Sequence, residues 1–336
     1  MLMVIMGAGA SHDSAPSMKI SSATANGFRL PLANNLFDGR HQFRQALKLY
    51  RQIQPIVPYL RDRGTRSLEE VLQELYDGAA NHTDRPKQIV ALRFYIRDVI
   101  YECSMNWLDE IDGVTNHKTL VDQILEFPGG PTLFVTFNYD ELIEDALLDR
   151  GFRTKYFEDY VYRLPEFRLY KLHGSMRWAR LVTPSPTAME LDELIDTAAQ
   201  SRPPNEGFRM YDNVHATTID GWAAIPSIAL PVFNKSDFEC PRIHLENVIQ
   251  HLPRVDKILA IGWRAKEAHF MKLLTEHLHH MRALWVVSKD DARAILQDLQ
   301  NQLSSKLVGT DISLQVFESG FTNFVTSRAG RALFNM

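Results

Sequence analysis

Three short segments hold residue types that could do chemistry together: Gly7-Ala8-Gly9-Ala10-Ser11, Thr136-Phe137-Asn138-Tyr139-Asp140 and Lys171-Leu172-His173-Gly174-Ser175. Two glycines directly after an apolar run allow a tight turn and a close approach of backbone amides to a pyrophosphate. A third glycine at the dinucleotide-fingerprint spacing is absent, so the turn alone also reads as a strand end with no ligand. Asn138 could hold a water or a ribose hydroxyl, and Asp140 could face a developing positive charge. Asn138 with Glu141 equally resembles a helix N-cap and its reciprocal partner, and singly that reading is the stronger. A histidine such as His173 can accept a proton near neutral pH, although a lone one is more often structural. Gly174 beside it permits an unusual backbone angle or a close ligand approach. Gly262 and Ser288 also follow apolar runs, where a second ribose could rest, and Ser288 reads as well as an N-cap.

The elements that must position these residues alternate. Leu2-Met3-Val4-Ile5-Met6, Thr132-Leu133-Phe134-Val135 and Leu169-Tyr170-Lys171-Leu172 read as buried strands, each leading into one of the three segments. All three segments are therefore expected along one edge of a parallel sheet, where open α/β sheets bind ligands. Further strands are expected from Ile228 to Phe233, interrupted by Pro231, and at Ile258 to Ile261, Leu284 to Val287 and Ile312 to Phe317. Helical spacing joins Phe43, Leu47, Tyr50 and Ile53, and again Ile89, Leu92, Ile96, Val99 and Ile100. Ser67-Leu68-Glu69-Glu70 is a capping box ahead of Val71, Leu72 and Leu75. A helix with Leu142, Ile143, Ala146 and Leu147 on one face follows the second strand, and another runs through Met271, Leu274 and Leu278.

The expected fold is α/β: a Rossmann-like, mostly parallel sheet with helices on both faces and a helical insertion. Residues 1–40, 126–178 and 224–336 would form the Rossmann-like domain. Residues 41–125 would be the insertion lying over the sheet, and 179–223, with Pro184, Pro186, Pro203 and Pro204, a loop or lid. Residues 12–40 read as a long loop over the strand edge. With the first strand starting near Met1, no domain is expected ahead of it.

Composition narrows the function classes. The 336 residues are 45% hydrophobic and 23% charged, enough for a substantial core. A formal net charge of −4 gives no support to a nucleic-acid surface. Cys103 and Cys240 are too few for a four-cysteine zinc site, and no Cys-x-x-Cys occurs. His277, His279 and His280 near Glu276 read as the exposed end of a helix, with metal ligation the weaker alternative. No segment is as long and apolar as a membrane span, and the apolar start lacks the basic lead of a signal peptide. A cytoplasmic protein is the expectation.

In this order the motifs resemble the sirtuins, and more closely the zinc-less sirtuin-like proteins of prokaryotic immunity. Sirtuins carry Gly-Ala-Gly-x-Ser, then Thr-Gln-Asn-x-Asp, then His-Gly; here these stand at residues 7–11, 136–140 and 173–174. Asn138-Tyr139-Asp140-Glu141-Leu142-Ile143-Glu144, Gly320-Phe321-Thr322-Asn323-Phe324 and Pro31-Leu32-Ala33-Asn34 resemble the immune group. The stretches 41–125 and 179–223 match only in position, and no further effector domain is expected. The resemblance implies that Gly7, Ala8, Gly9 and Ser11 hold the phosphates and ribose of NAD, with Pro31 matching a loop proline. It implies that Asn138 and Asp140 line the nicotinamide-ribose pocket, that His173 is the catalytic base, and that Gly262 and Ser288 approach the adenosine half.

Departures from the deacylases bear on activity. The zinc-binding cysteine pairs are missing, so NAD as substrate and no zinc are expected. Arg29 does not fall at the arginine position of the first loop, and Phe137 replaces the glutamine of Thr-Gln-Asn. Pro231-Val232-Phe233-Asn234-Lys235 stands where the peptide-pairing strand would end in Phe-Gly-Glu. No Val-x-Pro follows Gly262. The expected activity is NAD glycohydrolysis to nicotinamide and ADP-ribose by a triggered antiphage effector. The alternatives are an NAD-dependent deacylase or ADP-ribosyltransferase, and a non-catalytic NAD or ADP-ribose sensor. Expected partners are further copies of the chain, or a defence protein such as an ATPase, an Argonaute or a nucleotide-processing enzyme. Nucleic acid and membrane are not expected to bind directly.

Overall fold

The computed structural model describes all residues except 17–26, 128–129, 202, 205, 233–237 and 308–310. They form two compact units: Met1–Leu30, Ser104–Leu172 and Arg242–Met336 make one, Pro31–Cys103 and His173–Pro241 the other. In chain order the strands are β1 (Leu2–Met6), β2 (Thr132–Thr136), β3 (Phe167–Lys171), β4 (Gly174–Pro184) and β5 (Phe208–Met210). They continue with β6 (Thr218–Ile219), β7 (Trp222–Ile228), β8 (Lys257–Ile261), β9 (Ala283–Val287) and β10 (Ser313–Phe317).

The first unit is built on a six-stranded sheet in the order β10-β9-β8-β1-β2-β3, every pair parallel. Counting only this sheet's strands, the order is the doubly wound 3-2-1-4-5-6 of Rossmann folds, whose switch point lies between β1 and β8. Every residue of β1, β2, β8 and β9 is buried. That explains why they read as unbroken apolar runs rather than as alternating ones. β10 closes the sheet as an edge strand and is mostly exposed or half-buried.

The second unit contains a four-stranded antiparallel sheet, β5-β4-β7-β6. Ala179, Leu181, Tyr211, Val214 and Ala224 form a core cluster there, with Tyr101 of the helix Arg85–Glu110 packed against it. The capping box forms as expected: Ser67 Oγ accepts from the Glu70 amide at 3.2 Å, and Glu70 Oε2 accepts from the Ser67 amide at 2.7 Å. The helix His41–Leu49 stops short of Tyr50, whose hydroxyl instead donates to buried Asp98.

Two expectations are corrected. Residues read as a loop or lid, 179–223, hold most of β4, all of β5 and β6, the start of β7 and the helix Leu191–Gln200. Strands of two and three residues are too short to show alternation, and irregular register between β4 and β7 blurs it further. The strand expected from Ile228 to Phe233 shares only Ile228 with β7, which runs earlier, Trp222–Ile228, and stops ahead of Pro231, which has no amide to donate to a ladder. Phe233, Asn234 and Lys235 lie outside the described residues. Among the described residues no helix is long and apolar enough to cross a membrane.

Gly174 opens β4 with a φ of +87°, and a Cβ there would lie 1.9 Å from the Ser227 carbonyl oxygen of β7. Gly174→Ala combines left-handed strain with backbone overlap. It should cost at least about 3 kcal/mol, read by urea denaturation; a change under about 1 kcal/mol would contradict this packing.

Candidate functional site

The turns leaving β1 and β8 meet backbone to backbone. The Gly7 amide donates to the Ile261 carbonyl and the Gly9 amide to the Gly262 carbonyl, both at 3.1 Å. A Cβ on Gly7 would sit 2.5 Å from Gly262 O, one on Gly9 2.8 Å from Gly262 Cα, and one on Gly262 2.2 Å from the Ala10 nitrogen. Gly262 also has a φ of +57°. The three glycines therefore serve close packing of two turns, and the Gly7 and Gly9 amides are already committed within the protein. This differs from a turn whose glycine amides point freely at a phosphate.

Ser11 lies in the short helix Ala8–His12 that follows this turn, and its side chain joins two residues beyond β2. Ser11 Oγ donates to Asp140 Oδ2 at 2.6 Å and accepts from Asn138 Nδ2 at 2.8 Å. Asn138 Nδ2 also donates to the Gly7 carbonyl at 2.9 Å, and the Asn138 amide to Thr136 Oγ1 at 3.1 Å. Asp140 Oδ1 accepts from the Leu142 amide at 3.1 Å. Ser11, Asn138 and Asp140 are all buried. The helix Leu142–Leu148 starts after Glu141 with no side-chain cap, so Asn138 is not its N-cap. Its amide is spent on the first turn instead.

Behind this cluster lies a buried ion pair. Lys171 ends β3; its Nζ is 2.9 Å from Glu144 Oε1 and donates to the Asp140 main-chain carbonyl. The Tyr160 hydroxyl donates to Glu144 Oε1 at 3.4 Å, and the Lys171 amide donates to His244 Nδ1 at 3.3 Å. Burial pushes the Glu144 carboxyl upward, and the Lys171 charge opposes the shift. Burial drives His244 down to about 3, with Lys171 adding to it. His117 sits near enough to Asp140 to feel its charge, yet burial still lowers its pKa to about 4.

The remaining expected residues are placed as follows. Ser288 follows β9 and does not cap the next helix: its Oγ donates to the Asp290 carbonyl at 2.7 Å, and Asp291 holds the N-cap position. Lys289 beside it pairs with Asp13 at 2.7 Å. Asp13 also accepts from the Thr322 amide and hydroxyl, which gives the Gly320–Phe324 segment a place in the fold. Pro31 and His173 belong to the second unit. The His173 ring is buried there, and its carbonyl accepts from the Ala229 amide at 3.0 Å. His279 and His280 are exposed. Among the described residues no group of three or more metal-ligating side chains is assembled.

The sequence motifs include Thr136, Lys171 and Glu144 without giving them a role, and leave out His117 and Asp13. A signal existed for two of them. Lys171 is a charge inside an otherwise apolar strand end, and Glu144 shares the buried helix face with Ile143 and Leu147. Phe137, in the place of a sirtuin glutamine, stacks on Trp263 at 5.8 Å and meets Phe270 edge-on at 5.2 Å.

His117 and His244 give a pH dependence with a definite sign. Unfolded histidines bind a proton below about pH 6.5, whereas these folded rings resist one until about 4 and about 3. Their stabilising contribution is full above about pH 6.5 and is lost as pH falls toward 4, by up to about 1.4 kcal/mol per pH unit for each ring. Urea titrations from pH 7 to 5 should show this loss, and His117→Asn should reduce its slope. An unchanged midpoint across that range would contradict neutral burial of the two rings.

A family model described as a SIR2-like domain matches residues 132–308, more than half of the chain. No curated protein matches the chain. Among solved structures, the chain is similar to a mutant Sir2 homologue in complex with 2'-O-acetyl ADP ribose. That likeness has 12% identity and a TM-score of 0.43, and covers 100% of this chain and 93% of the other. It is also similar to a mutant Sir2 homologue with ADP ribose, at 13% identity and a TM-score of 0.39, covering 100% and 93%. A third likeness, at 13% identity and a TM-score of 0.37, is to a sirtuin solved to explain substrate affinity, covering 97% and 92%. With a SIR2-like match across β2, β3 and their following segments, the chain belongs to the SIR2-like domain family.

Proposed function

We propose that this protein is an NAD glycohydrolase. The supporting observation is the buried Ser11–Asn138–Asp140 cluster, held where β1 and β2 end beside the sheet's switch point, in a SIR2-like chain. Such a sheet binds dinucleotides at that edge. In the proposed reaction the bond between nicotinamide and ribose breaks with its electron pair leaving on neutral nicotinamide. The sugar passes through an oxocarbenium-like state that water traps at the same carbon, and one proton is released. Asp140 supplies charge opposite to the developing cation, and Asn138 orients the water or the ribose hydroxyls. His173, the chain neighbour of Leu172 at the end of the first unit, takes the proton. Ser11 fixes both partners, while Gly7, Ala8, Gly9, Gly262, Ser288 and Pro31 are assigned to holding the dinucleotide. The committed Gly7 and Gly9 amides make their contribution one of shape.

An unrestrained hydrolase of this kind would exhaust its host's NAD. We therefore assign it to antiphage defence, silent until a partner protein, a nucleotide signal or self-assembly releases it. Light scattering on the eluting protein should find more than one copy in the active species; an active monomer would remove self-assembly from the scheme.

Nicotinamide release from NAD, measured with and without candidate activators, is the direct assay. His173→Ala and Asn138→Ala should each lower turnover by about a hundredfold or more. Undiminished turnover in both variants would refute the assignment. Turnover only in the presence of an acylated peptide would make the protein a deacylase instead, and NAD or ADP-ribose binding with no release under any condition would make it a sensor.

A further inference from the structure

The buried Lys171–Glu144 pair has no role of its own in the proposed reaction. Lys171 is completely buried and Glu144 nearly so, and the ammonium reaches both the Glu144 carboxylate, at 2.9 Å, and the main-chain carbonyl of Asp140. Asp140 lies in the irregular stretch between β2 and the helix Leu142–Leu148, where no ladder or helix satisfies its carbonyl. Its side chain is held separately, by the Ser11 hydroxyl and the Leu142 amide. Lys171 is itself anchored at both ends. Its backbone sits opposite Thr136 in the β2–β3 ladder, and its amide donates to His244.

Stability alone is a poor reason for such a pair. Removing two charges from water costs about as much as their attraction returns, and apolar residues of similar size often serve as well or better. What an apolar pair cannot do is hold a carbonyl. We infer that Lys171 is a positioning residue, with Glu144 as its counter-charge, which fixes the Asp140 main chain so that the Ser11–Asn138–Asp140 cluster meets the ribose in one geometry. The inference rests on the NAD reading for its substrate. It differs in that it concerns a residue that touches Asp140 rather than the ligand.

The test compares three proteins: the parent, Glu144→Gln, and the double variant Lys171→Met with Glu144→Met. The double variant removes the charges together, so it should melt within about 5 °C of the parent. ADP-ribose titration counts folded sites, and nicotinamide release is then expressed per site. The double variant should lose at least about tenfold in kcat per site, because small misplacements of a reacting group are costly. Glu144→Gln leaves the buried ammonium without its counter-charge and should melt below the parent, yet, with Lys171 still on the Asp140 carbonyl, should retain most of the turnover per folded site. A double variant with parental turnover per site overturns the inference and leaves the hydrolase reading intact, as does an equal loss in Glu144→Gln. If the parent releases no nicotinamide, the hydrolase reading fails by itself. ADP-ribose affinity then decides: a tenfold weakening confined to the double variant supports positioning, and equal affinities overturn it. A parent that neither binds ADP-ribose nor cleaves NAD ends both.

Discussion

Where β1 and β8 emerge side by side, the two turns that follow them interpenetrate so closely that a single methyl group on Gly7, Gly9 or Gly262 would strike backbone. Much of the first unit follows from that approach. It sets the direction in which the short helix Ala8–His12 leaves the sheet, and with it where Ser11 can reach. It also presents the Gly7 carbonyl to Asn138, joining the segment after β2 to the same corner. Backbone contact of this kind cannot be approximated by flexible side chains, so the glycines constrain the site through shape more than through donated amides.

Around that corner the protein buries several polar side chains and satisfies most of them internally, with Glu144 Oε2 left without a hydrogen bond. Ser11 bonds to both Asn138 and Asp140, Thr136 Oγ1 accepts from the Asn138 amide, the Leu142 amide donates to Asp140, and Lys171 with Glu144 stands behind. Each such bond adds only about 1 kcal/mol net, whereas an orphaned buried partner costs more. A network built this way contributes modestly to stability and strongly to uniqueness, because few arrangements satisfy so many of its members at once. Asp13 extends the same logic to the chain's far end. It accepts from Lys289 and Thr322, and Gly320, at a φ of +81°, leaves room for both Asp13 and Lys289.

The second unit shows where reading by periodicity stops. Its core is assembled from β4 and β7, which pair irregularly, with strands of two and three residues beside them. Such fragments are stabilised by what they pack on, here Tyr211, Val214 and the helix residue Tyr101, and by nothing visible along the chain. The helical segment 31–103 shares a compact unit with 173–241, a grouping of residues remote in sequence.

The primary sequence by itself determined the parallel sheet, because strands buried on both faces must be written as apolar runs, and such runs stand at β1, β2, β8 and β9. It also determined which glycines, amides and carboxylates would end those strands, and the capping box at Ser67. Tertiary structure alone decided what each of those groups does. Asn138 looks like a helix cap when only its neighbours are considered, yet its amide is claimed by Gly7 and Ser11, more than a hundred residues earlier. Lys171 carries no local sign of its partners, since Asp140 and Glu144 come within reach only when β2 and β3 align. Periodicity records which side of an element faces the core; hydrogen bonds between distant segments depend on register and approach, which no local pattern encodes.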